Sequence, residues 1–399
     1  MKDRRLPHLD TLAVHAGEQE RGWKGATQVP VVHSVSFGYE SVEQWEAVAR
    51  SKAAGHISGN IYSRNSNPTV RVFEEKVRDL EGAEDATSFA TGMAAVSNTL
   101  LGLLKAGDRV VSLKDTYGGT SVMFLEFLPR YGIEVALCET TDHESIEAEV
   151  AKGCQLLYLE TPTNPTLKVI DLKRLSAAGH KAGAVVVCDN TFATPVNQHP
   201  LALGVDLVLH SATKFLGGHA DALGGVVAGS GDLVHRLYHF REINGATLHP
   251  MSAYLLLRGM KTLHLRVARQ CESAMKIATW LRGQPNVEAV FYPGLPEHPQ
   301  YEIARRQMSG FGGVLSFSLK GGLDAVRAML PKLTYAHRAA NLGAVETLVG
   351  IPATTSHVEC SLEEMKRLGI PEGLVRYSVG IEHSDDLIAD LTRALRENG

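Results

Sequence analysis

The chain has 399 residues, 44% hydrophobic and 21% charged, which suits one or two globular domains with a substantial core and argues against wholesale disorder. Its 40 basic and 44 acidic side chains leave a formal net charge of -4, which provides no long-range attraction to nucleic acid or to an anionic membrane. The five cysteines, Cys138, Cys154, Cys188, Cys271 and Cys360, are scattered without a C-x-x-C pair, which argues against a disulfide framework and a zinc knuckle.

Residues 1–10 are charged and contain Pro7, so they do not read as a signal peptide, and no later segment approaches a membrane span. A cytoplasmic setting is therefore expected. Residues 1–60 have little regular periodicity but much Gly, Ser and His, as in 53–60, and read as an extended arm with short helices.

Between 61 and 250, apolar runs at 109–113, 155–159, 184–188 and 206–210 alternate with helical patterns. Runs apolar at nearly every position suit strands buried on both faces, so this region reads as an α/β domain with a mainly parallel sheet. Each run ends in polar or special residues, and the carboxyl ends of such strands are where ligands gather. Beyond 250 the pattern changes. Residues 252–281 read as one long helix, 287–292 and 313–319 as strands, and 385–396 as a closing helix, giving a smaller α+β domain over 251–399.

Several residue groups at these ends carry chemistry. Lys214 follows the run at 206–210 and stands behind Ser211 and Thr213; a lysine there can form an imine with a carbonyl cofactor, although an isolated S-x-T-K is more often a surface loop. Thr91-Gly92-Met93 precedes a small-residue helical run at 94–104, so free N–H groups and a glycine offer a phosphate seat or simply a capped helix. Asp189 ends a buried strand, where a carboxylate either pairs with a cofactor ring nitrogen or caps a helix.

Tyr117 precedes two glycines and can lie flat on a planar group, and Asn164 offers an amide. Each alone is also an ordinary turn residue. Tyr62 and Arg64 sit upstream of the presumed core, with an arginine fork suited to a phosphate dianion or to a plain surface turn. Arg376 lies inside a strand-like run, where its guanidinium calls for an anion, either a bound carboxylate or an internal Asp or Glu. The 17 histidines show no metal-ligand spacing, and no metal is expected. G-x-G-x-x-G, Walker A and G-x-S-x-G are all missing, which argues against dinucleotide binding, P-loop chemistry and an α/β-hydrolase.

Taken in order, Tyr62-Ser-Arg-x-x-Asn-Pro-Thr69, Gly92-Met-Ala-Ala95, Tyr117-Gly-Gly-Thr120, Glu160-Thr-Pro-Thr-Asn-Pro165, Asp189-Asn-Thr-Phe-Ala-Thr-Pro195 and His210-Ser-Ala-Thr-Lys-Phe-Leu-Gly-Gly-His219 resemble the Cys/Met-metabolism family of pyridoxal-phosphate enzymes. That family includes cystathionine γ-synthase, cystathionine γ-lyase, methionine γ-lyase and the O-acylhomoserine sulfhydrylases. The resemblance continues through Pro352-Ala-Thr-Thr-Ser-His357 to Arg376 and so spans nearly the whole chain.

It implies a fold-type I, aspartate-aminotransferase-like architecture, with an arm at 1–60 contacting a neighbouring subunit in a homotetramer of two catalytic dimers. It also implies bound pyridoxal 5'-phosphate. Lys214 becomes the imine lysine and proton carrier, Asp189 the partner of the pyridine nitrogen and Tyr117 the stacking ring. Gly92, Met93, Ser211 and Thr213 hold the phosphate, Thr191 belongs to the same cofactor site, and Tyr62 and Arg64 arrive from the neighbour. Asn164 and Arg376 hold the substrate carboxylate, with Asn341 on the substrate side; Tyr62 and Tyr117 join Lys214 as catalytic candidates.

The reaction expected first is γ-replacement, in which an activated homoserine (O-acyl or O-phospho) meets cysteine or sulfide. The alternative is γ-elimination, releasing 2-oxobutanoate and ammonia. Gly119 replaces the cysteine that methionine γ-lyases typically carry. Ala340-Asn341-Leu342-Gly343 departs from the Glu-Ser-Leu-Gly of many cystathionine enzymes toward the asparagine version of the homoserine sulfhydrylases, whereas Ala344-Val-Glu346-Thr-Leu resembles the cystathionine enzymes again. A catalytically dead scaffold is opposed by intact Lys214, Asp189 and Arg376, and a nucleotide binder by the missing phosphate loop.

Overall fold

The four apolar runs form the centre of a seven-stranded sheet in the computed structural model, which describes residues 7–18, 25–50, 52–53, 56–57, 59–354, 365 and 368–396. Its strands are β1 (Asp85–Phe89), β2 (Arg109–Leu113), β3 (Glu134–Cys138), β4 (Leu156–Glu160), β5 (Val185–Asp189), β6 (Leu207–Ser211) and β7 (Gly225–Gly229), in spatial order β1-β7-β6-β5-β4-β2-β3. From β6 across to β3 every pair is parallel. β7 alone is reversed and pairs antiparallel with both β1 and β6.

The register sets Glu160 beside Asp189 and Asp189 beside Leu209, so the carboxyl ends of β4, β5 and β6 finish level. β1, β3 and β7 were not among the expected strands. β1 carries polar residues, β3 is a half-exposed edge, and β7 begins and ends in glycine. Gly225 is needed for close approach, because a Cβ there would stand 2.2 Å from the Thr91 carbonyl oxygen.

Short helices α1 (Leu9–His15) and α2 (Pro68–Glu81) pack together at the front of the chain. α2 is well specified locally: Asn67 caps its start by accepting from Thr69 N at 3.0 Å, Pro68 occupies the first turn, and Gly82 ends it at φ +69°. Lys76 on its inner face is fully buried and donates to Ala13 O (2.9 Å), Val14 O (3.1 Å) and Glu18 Oε1 (2.8 Å), which fastens the leading segment. α3 (Gly92–Leu103) begins two residues before the run at 94–104, because Thr91 Oγ1 accepts from Ala94 N at 3.0 Å and makes Thr91 the cap. α4 (Gly231–Asn244) follows β7.

The expected single helix over 252–281 is two, α5 (Pro250–Met260) and α6 (Leu263–Leu281). Local sequence gives no proline to mark the break. Tertiary contact makes it: a Cβ on Gly259 would stand 2.0 Å from Gly217 O, and the Gly259 carbonyl is taken by the Thr262 hydroxyl and by Arg266 instead of continuing one uninterrupted ladder. Beyond it, β8 (Val287–Phe291), β9 (Val314–Leu319), β10 (His337–Arg338), β11 (Leu348–Gly350) and β12 (Leu374–Ser378) form a second sheet in the order β8-β9-β12-β11-β10, closed by α7 (Ser384–Leu395). Leu315, Phe317, Val375 and Tyr377 anchor its core. Of the expected motif at 352–357, Thr355, Ser356 and His357 lie outside the described residues, as do 1–6 and Ala54, Gly55 and Ser58 of the arm. Among the described residues no helix is long and apolar enough to cross a membrane.

Candidate active site

A cavity of about 430 Å³ opens where the ends of β4, β5 and β6 meet the start of α3 and the inner edge of the second sheet. Ten of the residues singled out in the sequence line it: Gly92, Met93, Tyr117, Asn164, Asp189, Thr191, Ser211, Thr213, Lys214 and Arg376. They come from six separate segments, yet topology alone brings them to one rim.

At the α3 end, a helix start leaves its first N–H groups without intrahelical acceptors. Gly92 lets Ser211 lie against that start, since a Cβ on Gly92 would meet Ser211 Oγ at 2.7 Å. The Thr213 hydroxyl pairs with both backbone groups of Gly224, donating to its oxygen at 3.3 Å and accepting from its nitrogen at 3.1 Å. Thr191 Oγ1 accepts from Ser211 N at 2.9 Å and donates to Asp189 Oδ1 at 2.5 Å, while Thr191 N donates to the same oxygen at 3.0 Å. Asp189 Oδ2 thus keeps its acceptor capacity. Burial raises the Asp189 pKa, against the bonds from Thr191 and the nearby charge of His210. A cation beside that carboxyl acts in the opposite direction and favours its ionised form.

Lys214 Nζ donates to Asn341 Oδ1 at 2.7 Å. Burial, aided by the charge of Arg376, lowers its pKa to about 8, so the neutral amine needed for imine formation or proton uptake is accessible near neutral pH. Arg376 comes from β12 and is only 6% exposed. Its Nη1 donates to Asn164 Oδ1 at 2.9 Å and its Nη2 to Asn341 O at 3.2 Å. No carboxylate among the described residues forms an ion pair with it, and burial pushes its pKa down to about 10. Of the two anions considered for Arg376, no internal Asp or Glu is present among the described residues.

Glu160 is a cavity residue that the sequence puts on the polar rim without giving it a role. It closes β4 beside Asp189, is almost fully buried, and accepts from Tyr117 N at 2.8 Å through Oε2. Burial first, and then the Asp189 charge, raise its pKa well above the usual range, opposed by the backbone N–H groups of Tyr117 and Asn164. Its position at the end of the same apolar run as the other rim residues was the available signal. Ala340, Leu342 and Leu223 complete the mouth.

Tyr62 and Arg64 are not brought to this cavity. Tyr62 is 42% exposed, the Arg64 guanidinium lies 5.7 Å from the centre of its ring, and that guanidinium donates to Glu242 O at the end of α4. Asn65 Nδ2 donates to Glu242 Oε2 at 2.6 Å, so the segment is fixed on the surface.

The sequence profile of the Cys/Met metabolism PLP-dependent enzymes matches residues 10–396. The chain belongs to that family. It is 42% identical to the L-methionine γ-lyase of Fusobacterium nucleatum subsp. nucleatum over 98% of each chain. It is 41% identical to the O-succinylhomoserine sulfhydrylase of Pseudomonas aeruginosa, over 97% of this chain and 95% of that one. A solved cystathionine γ-synthase from Xanthomonas oryzae pv. oryzae, in complex with aminoacrylate and cysteine, superposes with a TM-score of 0.92 at 36% identity, covering 98% of each chain. Fold-type I architecture, pyridoxal 5'-phosphate as cofactor and an enzymatic role in cysteine and methionine metabolism follow from membership in the Cys/Met metabolism family. The names of the relatives divide between lyase and transferase.

Proposed function

We propose that the chain catalyses γ-replacement, joining an activated homoserine to the sulfur of cysteine or sulfide. In this reaction the Cγ–O bond breaks, a Cγ–S bond forms, and the thiol proton leaves with the departing acid. The observation that carries this reading is the crowding at Gly119. A Cβ there would stand 2.8 Å from Met93 Sδ and 2.9 Å from the Tyr117 ring, so the cysteine typical of methionine γ-lyases requires both side chains to move. The asparagine at 341, bonded to Lys214, adds the sulfhydrylase-like feature.

The donor set suits the cofactor. The α3 start, with Gly92 and Met93, would hold the phosphate together with Ser211 and Thr213. Asp189, steadied by Thr191, would face the ring nitrogen, Tyr117 would cover the ring, and Lys214 would carry the imine. Bound there, pyridoxal phosphate supplies an electron sink that acidifies C–H bonds of the amino-acid substrate. Asn164 and Arg376 hold the substrate carboxylate, which provides the anion that the buried guanidinium lacks. Lys214 takes the proton from Cα, then moves one at Cβ so that the group on Cγ can depart, and returns protons once sulfur has added.

Tyr62 and Arg64 serve the cavity of a second copy, in a tetramer of two dimers, with residues 1–60 as the arm that reaches it. Residues 61–250 and 251–399 are then the cofactor-binding and smaller domains. The free state of Cys138, Cys154, Cys188 and Cys271 supports a cytoplasmic setting. A γ-elimination reading is favoured by the 42% identity to a methionine γ-lyase.

One experiment separates the two. O-acetyl-, O-succinyl- and O-phosphohomoserine, cystathionine and methionine are each incubated with and without cysteine or sulfide, and 2-oxobutanoate is assayed against thioether or thiol product. Sulfur-dependent product from an activated homoserine, exceeding 2-oxobutanoate, is expected. Dominant 2-oxobutanoate from cystathionine or methionine overturns the replacement reading.

A further inference from the structure

Arg266, on the first turn of α6, is 4% exposed and forms no ion pair with any carboxylate among the described residues. Its fork is satisfied by oxygen atoms of neutral groups. Nη1 donates to Phe215 O at 2.9 Å, Nη2 to Leu216 O at 3.3 Å and to Gly259 O at 2.8 Å, and Nε to Thr262 Oγ1 at 3.1 Å. Phe215 and Leu216 directly follow Lys214, and Gly259 belongs to the last turn of α5. One guanidinium therefore joins the Lys214 turn to the break between α5 and α6.

The fit is close on every side. Gly218 stands at φ +71°, and a Cβ there would lie 2.0 Å from Arg266 Nη1, so the turn leaves the guanidinium its place. Within the turn, Gly218 N donates to Lys214 O at 2.8 Å and Gly217 N to Ala212 O at 2.9 Å. From the other side, Val345 N donates to Gly218 O at 2.9 Å, and a Cβ on Gly343 would stand 2.7 Å from Phe215 N. Burying a cation without an anion is costly, and burial lowers the Arg266 pKa to about 10. An apolar side chain would fill the space at lower cost, but it has no donors for three carbonyls. A rigid planar fork does.

We propose that Arg266 is a positioning residue for Lys214, fixing the turn after β6 so that the amine stays between Asn341 and the cavity. The inference rests on the proposed role of Lys214 as the cofactor lysine. It is tested in the holoenzyme with Arg266→Met, Arg266→Gln and Arg266→Lys. Borohydride reduction with peptide mass mapping reads where the cofactor is attached, an absorbance titration against pH reads the state of the attached cofactor, and melting temperature reports the fold.

Attachment at Lys214 is expected in every folded variant. In Arg266→Met and Arg266→Gln the midpoint of the absorbance titration moves by about one pH unit and kcat falls roughly tenfold with KM within about threefold, since a tenfold change corresponds to one pKa unit of altered interaction. Arg266→Lys, which keeps the charge but not the fork, recovers part of both. Wild-type titration and kcat in a folded Met or Gln variant overturn the proposal. Failure of all three variants to fold makes Arg266 a folding determinant and overturns it too. Reduction at a lysine other than 214 in the unmodified enzyme overturns the Lys214 reading itself, and this inference with it.

Discussion

Lys214 Nζ and Asn341 Oδ1 are 2.7 Å apart although 127 residues separate them, so the proposed proton carrier of the large domain is held by a side chain from the smaller one. The link makes the position of the amine depend on how the two domains meet. Asn341→Ala removes the acceptor and leaves the residues that line the cavity unchanged. Donated by the neutral amine, the form that takes up a proton, this hydrogen bond contributes on the order of 1 kcal/mol, so kcat is expected to fall about fivefold to tenfold. Product ratios with and without sulfide, measured in the same variant, show whether the loosened amine favours elimination.

Lys214→Ala abolishes turnover while the fold survives; turnover at the wild-type rate in that variant would end the proposed mechanism. Circular dichroism checks the fold and the 2-oxobutanoate and thioether assays check the chemistry.

Stability provides a second view of the same lysine. Burial lowers the pKa of Lys214 in the folded protein to about 8, below its ordinary value of 10.5, so the folded state disfavours the charged amine. Below pH 8 both folded and unfolded chains are protonated and the full cost is present, on the order of 3 kcal/mol. Between pH 8 and about 10.5 the cost declines, because only the unfolded chain still gains by holding the proton. Cofactor-free Lys214→Met is thus expected to melt above the cofactor-free parent at pH 7, with the gap shrinking as pH approaches 10.5. Urea melts at both pH values measure it.

Glu160 separates an acceptor role from a charge role. Glu160→Leu leaves the N–H groups of Tyr117 and Asn164 facing an apolar side chain, at a cost of about 1–3 kcal/mol for each group left unsatisfied. Glu160→Gln keeps an acceptor and removes the titratable carboxyl beside Asp189. Denaturant unfolding should show a large loss for Glu160→Leu and little for Glu160→Gln, and cofactor affinity should follow the same order.

Tyr62 and Arg64 give the test of a shared site. Arg64→Ala weakens cofactor retention, and mixing it with Lys214→Ala restores activity in hybrid dimers that hold one intact site. With free exchange in a two-fold dimer, about a quarter of the parent activity is expected. No recovery after verified subunit exchange counts against the shared site.

What the sequence made legible was the rim. Runs apolar at nearly every position mark the buried strands, and polar residues at their ends mark where ligand-facing groups gather, which is how seven of the ten predicted residues come to line one cavity. The break between α5 and α6 was hidden because its cause, the contact of Gly259 with Gly217, joins segments that have no local relation. β7 was hidden because two of its five residues are glycines that serve a neighbour and not the strand pattern. Glu160 was legible as part of the polar rim but not as a partner of Asp189, because only the register of two strands sets the two carboxyls side by side. Tyr62 and Arg64, legible as a motif, lie on the surface of the single chain and outside the cavity.

The fastening of the leading segment by Lys76 bears on protein engineering. A truncation past Glu18, for instance a chain started where the cofactor-binding region is drawn at 61, strips a fully buried ammonium of all three acceptors that hold it. Breaking a buried pair from one side costs about 3–5 kcal/mol, a large part of the stability of an ordinary domain. Affinity tags and fusions therefore belong ahead of Leu9, and a minimal catalytic fragment has to retain α1, whose Ala13 and Val14 carbonyls hold Lys76.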